Sequence, residues 1–220
     1  MDEFLSCYPE LSLRPSRRSS LVVEGAFHFC SVSGGAELED VYRLRILIPK
    51  LFPEQLPSVF DIGERIPRDF HRLADGSFCL GSPLRLQLLL GRSYSILDFV
   101  HKCVVPYLHG FSVLEQTGEL PFGDLEHGFE GIFDDYKVIF GVDSETKVKK
   151  LFYLASKPRS KANRYACPCG SGLRVGKCHN DVLNKLRKTV GRLWFRNQFL
   201  WMGIEVPRIK FERKNLSFMN

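Results

Sequence analysis

The stretch Leu21 to Val32, LVVEGAFHFCSV, sets Leu21, Val23, Phe27 and Phe29 on one side and Glu24 and His28 on the other. Side chains of an extended chain alternate sides, so this period of two marks a half-buried strand. VYRLRILIP, Val41 to Pro49, repeats the pattern with Tyr42, Leu44, Ile46 and Ile48 inward and Arg43 and Arg45 outward. Gly34-Gly35 lies between them as a turn, which makes the two strands a hairpin. Before the hairpin, Asp2 to Leu11 reads as a short helix interrupted by Pro9, and RPSRRSS after it as a loop. Beyond it, LFPEQLPSVFDIGERIP carries Pro53, Pro57 and Pro67. Each proline lacks an amide donor and has a fixed φ, so this segment is no helix, although Val59, Phe60 and Ile62 can form a third short strand. Ser95 to His109, SILDFVHKCVVPYLH, returns to helical spacing with Ile96, Phe99, Val100, Cys103 and Tyr107 on one face. Ser93 or Ser95 is its cap, and Pro106 is placed to kink or end it.

The chain has 220 residues, 44% of them hydrophobic and 18 of them Phe, enough for a real core and an appendage. No run of eighteen apolar residues occurs, and MDEFLSCYPE is acidic where a secretory signal is basic and then apolar. A soluble, cytoplasmic protein is expected. The seven cysteines are an odd number, scattered early and clustered late, which favours metal binding or catalysis over disulfides. Charge divides the chain: from Glu145 onward there are eighteen Lys or Arg against four acidic residues, and before it thirteen against twenty-one. We therefore expect a domain over 1–143, a charged linker over 144–164 with LASKPRSKANRY at its heart, and a basic tail over 165–220.

Between the third strand and the helix lies His71 to Gly81, HRLADGSFCLG, with Cys79 just past a tight Asp75-Gly76 turn. This placement suits an exposed nucleophile. Thioester exchange needs an accessible thiolate and a nearby group to take a proton from an incoming amine. Cys79 is the candidate thiol, and His71, Asp75 and the more distant His127 are candidate helpers. His71 reads equally as a loop stabiliser, Asp75 as a turn residue and His127 as a surface residue. Cys30 and Cys103, on strand and helix patterns, read as small buried apolar residues.

The order of three strands, proline-rich crossing, cysteine loop and helix, over roughly residues 21–108, resembles the ubiquitin-conjugating (ubiquitin carrier) enzymes. The likeness is to the divergent bacterial branch found in antiviral-defence operons. It is carried by the Phe52 to Pro57 step, His71, Asp75-Gly76 and Cys79-Leu80. The resemblance implies an α+β fold, an antiparallel meander sheet with flanking helices, and a catalytic Cys79. It also implies a partner: a ubiquitin-like modifier or the C-terminus of a cGAS-like nucleotidyltransferase in CBASS-type antiphage defence. No adenylating domain is read in this sequence, so a separate activating enzyme is either required or dispensable. The eukaryotic family has His-Pro-Asn where Arg72 and Leu73 follow His71 here, and its spacing to the cysteine is two residues longer. The Asn that supports the thioester oxyanion thus has no counterpart. A backbone amide or another side chain has to supply a contribution of a few kcal/mol, or transfer proceeds more slowly.

Cys167 to His179, CPCGSGLRVGKCH, places a C-x-C pair, then eight intervening residues, then the adjacent Cys178 and His179. Three thiolates and an imidazole complete a tetrahedral zinc set, with the Gly170-Ser171-Gly172 turn doubling the chain back. Four protein ligands leave no open position, so the expected zinc is structural. The string is similar to the SEC-C motif known from the C-terminus of the SecA translocation ATPase, which implies a protein-binding, adaptor role. After it, Asn180 or Asp181 caps a helix running toward Met202. Its apolar stripe is Leu183, Leu186, Val190, Leu193, Trp194 and Trp201, expected to pack on the first domain. Lys185, Arg187, Lys188, Arg192 and Arg196 lie largely opposite. Such a charge run is ordinarily a solvated face, so nucleic acid is not the expected partner.

Three functions compete on these residues. The first is a thioester-forming transferase. The second is a catalytically inactive relative that recruits a partner through its zinc-containing basic tail. The third is a nucleic-acid-binding protein.

Overall fold

The computed structural model describes residues 1–16, 20–33, 36–121 and 128–201. The chain is α+β and divides into two units, Met1–Gly131 and Ile132–Asn220.

In the first unit the alternating segments form β2 (Leu21–Ser33) and β3 (Ala36–Ile48), flanked by β1 (Leu11–Arg14) and β4 (Ser58–Asp61). The sheet is an antiparallel meander in the order β1-β2-β3-β4. Leu21 pairs with Ile48 and Phe27 with Tyr42, the register the hydrophobic pattern requires. Val23, Phe27, Phe29, Tyr42, Leu44, Ile46 and Ile48 are all buried, while Leu21, at the end of its strand, is half exposed. The Gly34-Gly35 turn lies outside the described residues.

The N-terminal helix is shorter than expected. α1 spans Asp2–Cys7, and the chain then turns to open β1 at Leu11. Gly25, on the β2 inner face at φ +152°, makes this possible, because a Cβ there would collide with the carbonyl of Glu10. Tyr8 then stacks on Phe27 at 4.5 Å, covering one end of the core.

The helical side of this core is α2 (Pro83–Leu90), α3 (Ile96–Phe99) and α4 (Val105–Thr117). Ser95 caps α3 in a reciprocal capping box with Asp98. Pro106 neither ends nor sharply breaks the run. Its missing amide is absorbed by one turn of π-helix, Val100–Val104, immediately before it. Phe99, Val100, Cys103, Val104, Leu108 and Phe111 therefore stay on one face, buried in the same core as the sheet. Burying each large side chain contributes about 1.5–3 kcal/mol.

One polar cluster fastens the loop after β4. Arg65 forks onto Asp40 at 2.7 and 2.8 Å, donates to Glu115 at 2.6 Å and lies over the Tyr42 ring at 4.4 Å. Ser112 on α4 bonds both Asp40 and the Tyr42 hydroxyl at 2.6 Å.

The second unit corrects two expectations. Residues 144–164 are not a linker: α6 (Glu145–Ser156) and α7 (Arg159–Ala162) occupy them. Val148, Leu151, Phe152 and Ala155 recur at helical spacing beneath the lysines, and all are buried. Phe152 is the hub, with ring contacts to Tyr136 and Phe140 of α5 (Gly128–Phe140) and to Trp194 and Phe195 of α9 (Arg192–Trp201). The tail stripe thus packs within its own unit. Second, the expected long helix is two, α8 (Asn180–Thr189) and α9, broken at Gly191 with φ +95°. The break leaves Leu193 exposed, while Leu183, Leu186, Val190 and Trp194 are buried; the side chain of Trp201 lies outside what the structure describes. Arg187 is buried as well: its guanidinium donates to the Leu154 and Ala155 carbonyls at 2.6 and 3.0 Å, closing the C-terminus of α6.

Among the described residues, no helix is long and apolar enough to cross a membrane.

Candidate functional site

Residues 71–79 fold as a miniature hairpin. Arg72 pairs with Phe78 across it, Leu73 N donates to Ser77 O at 2.8 Å, and Cys79 N donates to His71 O at 2.7 Å. Gly76 N closes the turn on Leu73 O at 2.8 Å. Phe78 N reaches Val59 O at 2.8 Å and so ties the hairpin to β4. This register sets His71 directly opposite Cys79.

His71 is held at φ +39°, a left-handed conformation that costs a non-glycine residue of order 1 kcal/mol or more. Two anchors maintain it. The Tyr107 hydroxyl of α4 lies 3.2 and 3.3 Å from the carbonyls of Phe70 and His71, and its ring stacks on Phe78 at 4.4 Å. Arg72, whose side chain is nearly buried, donates to Ile66 O at 2.7 Å, Gly76 O at 3.1 Å and Pro67 O at 3.2 Å. It also lies 3.5 Å from Asp61, a fully buried carboxylate that accepts the amides of Gly63 and Ile66. Arg72, the residue that departs from the resembled pattern, is thus the inner brace of the loop.

Cys79 is half-buried. Burial pushes its thiol above the ordinary value, and the Gly81 amide, donating to the sulfur, acts against that rise. Burial likewise pushes the Tyr107 hydroxyl up; Arg72 acts against that shift and Cys79 adds to it. Asp75 is exposed and engaged in its own turn, accepting from the Ser77 amide at 3.0 Å and hydroxyl at 2.6 Å. His127 lies outside the described residues. Of the other thiols, Cys103 is buried and pushed up to about 12. Cys30 is exposed, contrary to expectation. Phe29 takes the inward position, so its neighbour points outward, where the thiol donates to Glu37 at 3.0 Å.

In the second unit, a hairpin closed by Cys167 N to Leu173 O at 2.7 Å and Val175 N to Tyr165 O at 2.9 Å turns through Gly170 at φ +93°. It brings Cys167 and Cys169 to Cys178 and His179, and the four ligand atoms all lie within 4.8 Å of one another. Cys167 Sγ is 3.1 Å and Cys178 Sγ 3.2 Å from His179 Nδ1, and Cys169 Sγ is 3.4 and 3.5 Å from the other two sulfurs. These four residues can hold a metal ion. His179 Nε2 donates to Phe140 O at 3.0 Å, which fixes the tautomer and turns the Nδ1 lone pair on the sulfurs. Burial acts to raise the Cys169 thiol, but bonds from the Ser171 hydroxyl and amide, with contacts to Cys167 and Cys178, bring it down to about 7.

No protein-family model and no curated protein matches this chain. What the protein does is therefore to be read from its two sulfur sites.

Sequence reasoning picked out Cys79 and the metal set but missed Arg72, Asp61, Tyr107 and the Gly81 amide. Asp61 with Gly63 carried the one local signal, an Asx-type turn. Tyr107 was hidden among apolar helix positions, and a backbone amide leaves no trace in composition.

Proposed function

We propose that the protein is a cysteine-dependent carrier of the ubiquitin-conjugating type. It takes a protein C-terminus as a thioester on Cys79 and passes it to an amine. The observation that carries this reading is a lone, half-buried thiol, accepting from the Gly81 amide and set opposite a residue in strained backbone conformation. Strain maintained against a nucleophile is characteristic of reactive loops.

In loading, the Cys79 thiolate attacks the carbonyl of an incoming thioester. The Cys79 sulfur–carbon bond forms, the incoming sulfur–carbon bond breaks, and the departing thiolate takes up a proton. In transfer, the acceptor amine forms the new carbon–nitrogen bond and Cys79 leaves as thiolate, held by the Gly81 amide. His71 is the candidate to receive the amine's proton. Because Gly81 N–H is engaged with the sulfur, the oxyanion-donor role that the missing Asn leaves open, which is about 3–4 kcal/mol of barrier, falls to another group. The resemblance supplies the partner class, a ubiquitin-like modifier or a cGAS-like nucleotidyltransferase of antiphage defence.

The metal of the second unit is zinc in this reading. Zinc–sulfur bonds of roughly 2.3 Å separate sulfurs by roughly 3.8 Å in a tetrahedron. The 3.4 and 3.5 Å sulfur separations match after slight expansion. Zinc supplies structural closure here, and the four side chains fill its coordination.

One observation favours a second reading, an inactive carrier-like binding module: burial alone raises the Cys79 thiol, with no cation among the causes that act on it. Incubation with a biotinylated peptide bearing a C-terminal glycyl thioester separates the two. A reductant-sensitive adduct abolished by Cys79→Ala supports the carrier; an adduct unchanged in Cys79→Ala leaves the inactive module.

A further inference from the structure

The lysines of the second unit fall into two groups. In α5 and α6 all but Lys150 are paired with acids a turn away: Lys137 with Asp134, Lys147 with Asp143 at 2.7 Å, and Lys149 with Glu145. From Lys157 to Phe199 this pairing stops, and eleven Lys or Arg face a single acid, Asp181. A merely solvated face ordinarily intersperses both signs, as α5 and α6 do.

The fold gathers these bases from three helices. Arg159 of α7 donates to Asn180 Oδ1 at 3.3 Å, Asn184 Nδ2 to the same oxygen at 2.9 Å, and Arg187 Nη1 to Asn184 Oδ1 at 3.1 Å. Asn163 joins the same acceptor at 3.0 Å. A ladder of donors thus runs from α7 along α8. Lys185 and Lys188 stand exposed on α8, and Arg192 and Arg196 stand exposed one turn apart on α9. Burial, with Arg192 and Arg159 adding to it, lowers the Arg187 guanidinium to about 10, as expected where three cations share a small volume.

We propose that this ridge, from Arg159 through Lys185 and Lys188 to Arg192 and Arg196, binds the phosphate backbone of nucleic acid without reading its sequence. Phosphate suits it better than an acidic peptide. The charge is nearly of one sign, and the exposed Arg159, Arg192 and Arg196 carry planar guanidinium forks that match phosphate oxygens bidentately. The ridge lies in the zinc unit and does not depend on the carrier reading.

The test uses the full-length protein and fluorescein-labelled, mixed-sequence single-stranded RNA, single-stranded DNA and duplex DNA, followed by polarisation across a potassium chloride series. The expected result is binding near 50 mM salt that weakens linearly on a log–log plot at about 0.7–0.9 per phosphate contact. The triple variant Lys185→Glu, Lys188→Glu, Arg192→Glu should lose about tenfold or more in affinity and about two to three in slope. Cys79→Ala and the first-unit charge-reversal control Arg43→Glu, Lys50→Glu should bind as the parent does. Zinc content shows that the triple variant has kept its fold; if it has not, Lys185→Gln with Lys188→Gln takes its place. Absence of salt-dependent binding, equal loss in the first-unit control, or stronger binding to polyglutamate or anionic vesicles than to nucleic acid would overturn the proposal.

Discussion

Cys79 and Cys169 both stand on tight glycine-bearing turns, yet their surroundings act on sulfur in opposite directions. At Cys79 a single thiol is half-buried and pushed up by burial, with one amide acting against the rise. At Cys169 the pull of Ser171 and its sulfur neighbours overcomes burial and brings the thiol down to about 7. At the lone sulfur, burial favours the protonated thiol. Gathered sulfurs cannot all ionise side by side without a cation, and this set can hold a metal ion. Backbone hydrogen bonds close both turns; the second also gathers four ligand atoms within 4.8 Å of one another.

On the zinc reading, the largest effect that can break this contrast is removal of the metal. Chelation, or Cys167→Ser, should cost the second unit on the order of 10 kcal/mol. Hydrogen exchange should then lose protection over 165–179 and α8, while β2 and β3 stay protected. Equal loss in both units would show that they do not stand on separate cores. Arg72→Ala comes next. It removes donors from Ile66, Pro67 and Gly76 and leaves Asp61 buried without its cation, an expected loss of about 3 kcal/mol by denaturant unfolding. A wild-type midpoint in that variant would mean the loop is braced elsewhere.

Acidity sharpens the comparison further. Because burial holds the Cys79 thiol above its ordinary value of 9.0, the thiolate is a small fraction at neutral pH. Adduct formation with a peptide thioester should therefore climb about tenfold per pH unit from pH 6 to 8. A plateau below pH 8 would reveal a cation paired with the sulfur. The smallest effect is that of Asp75→Ala, which gives up the bonds from Ser77 at a cost of about 1 kcal/mol and should leave the adduct rate within a few-fold. A loss of reactivity without loss of stability would instead make Asp75 a participant in the chemistry.

Much of this was legible in the sequence, for physical reasons that differ by region. The β2–β3 register followed from a period of two, because a slip of one residue would carry Phe27 and Tyr42 out of the core. The metal set followed from ligand spacing alone. α6 was obscured because Lys147, Lys149 and Lys150 are interspersed with Val148, Leu151 and Phe152 and lead into a Lys- and Arg-rich stretch, although spacing and not composition decides burial. The brace around Cys79 was out of reach. Asp61, Arg72 and Tyr107 meet only in three dimensions, and the positive φ of His71 is imposed by those contacts, not by the residue itself.

The most direct measurement is intact-mass analysis of the wild type, Cys79→Ser and Cys79→Ala after incubation with the glycyl peptide thioester, with and without dithiothreitol. The account predicts a wild-type adduct that dithiothreitol removes, a slower Cys79→Ser adduct that resists it, and none on Cys79→Ala. An adduct of wild-type yield on Cys79→Ala, or none on the wild type, would contradict it.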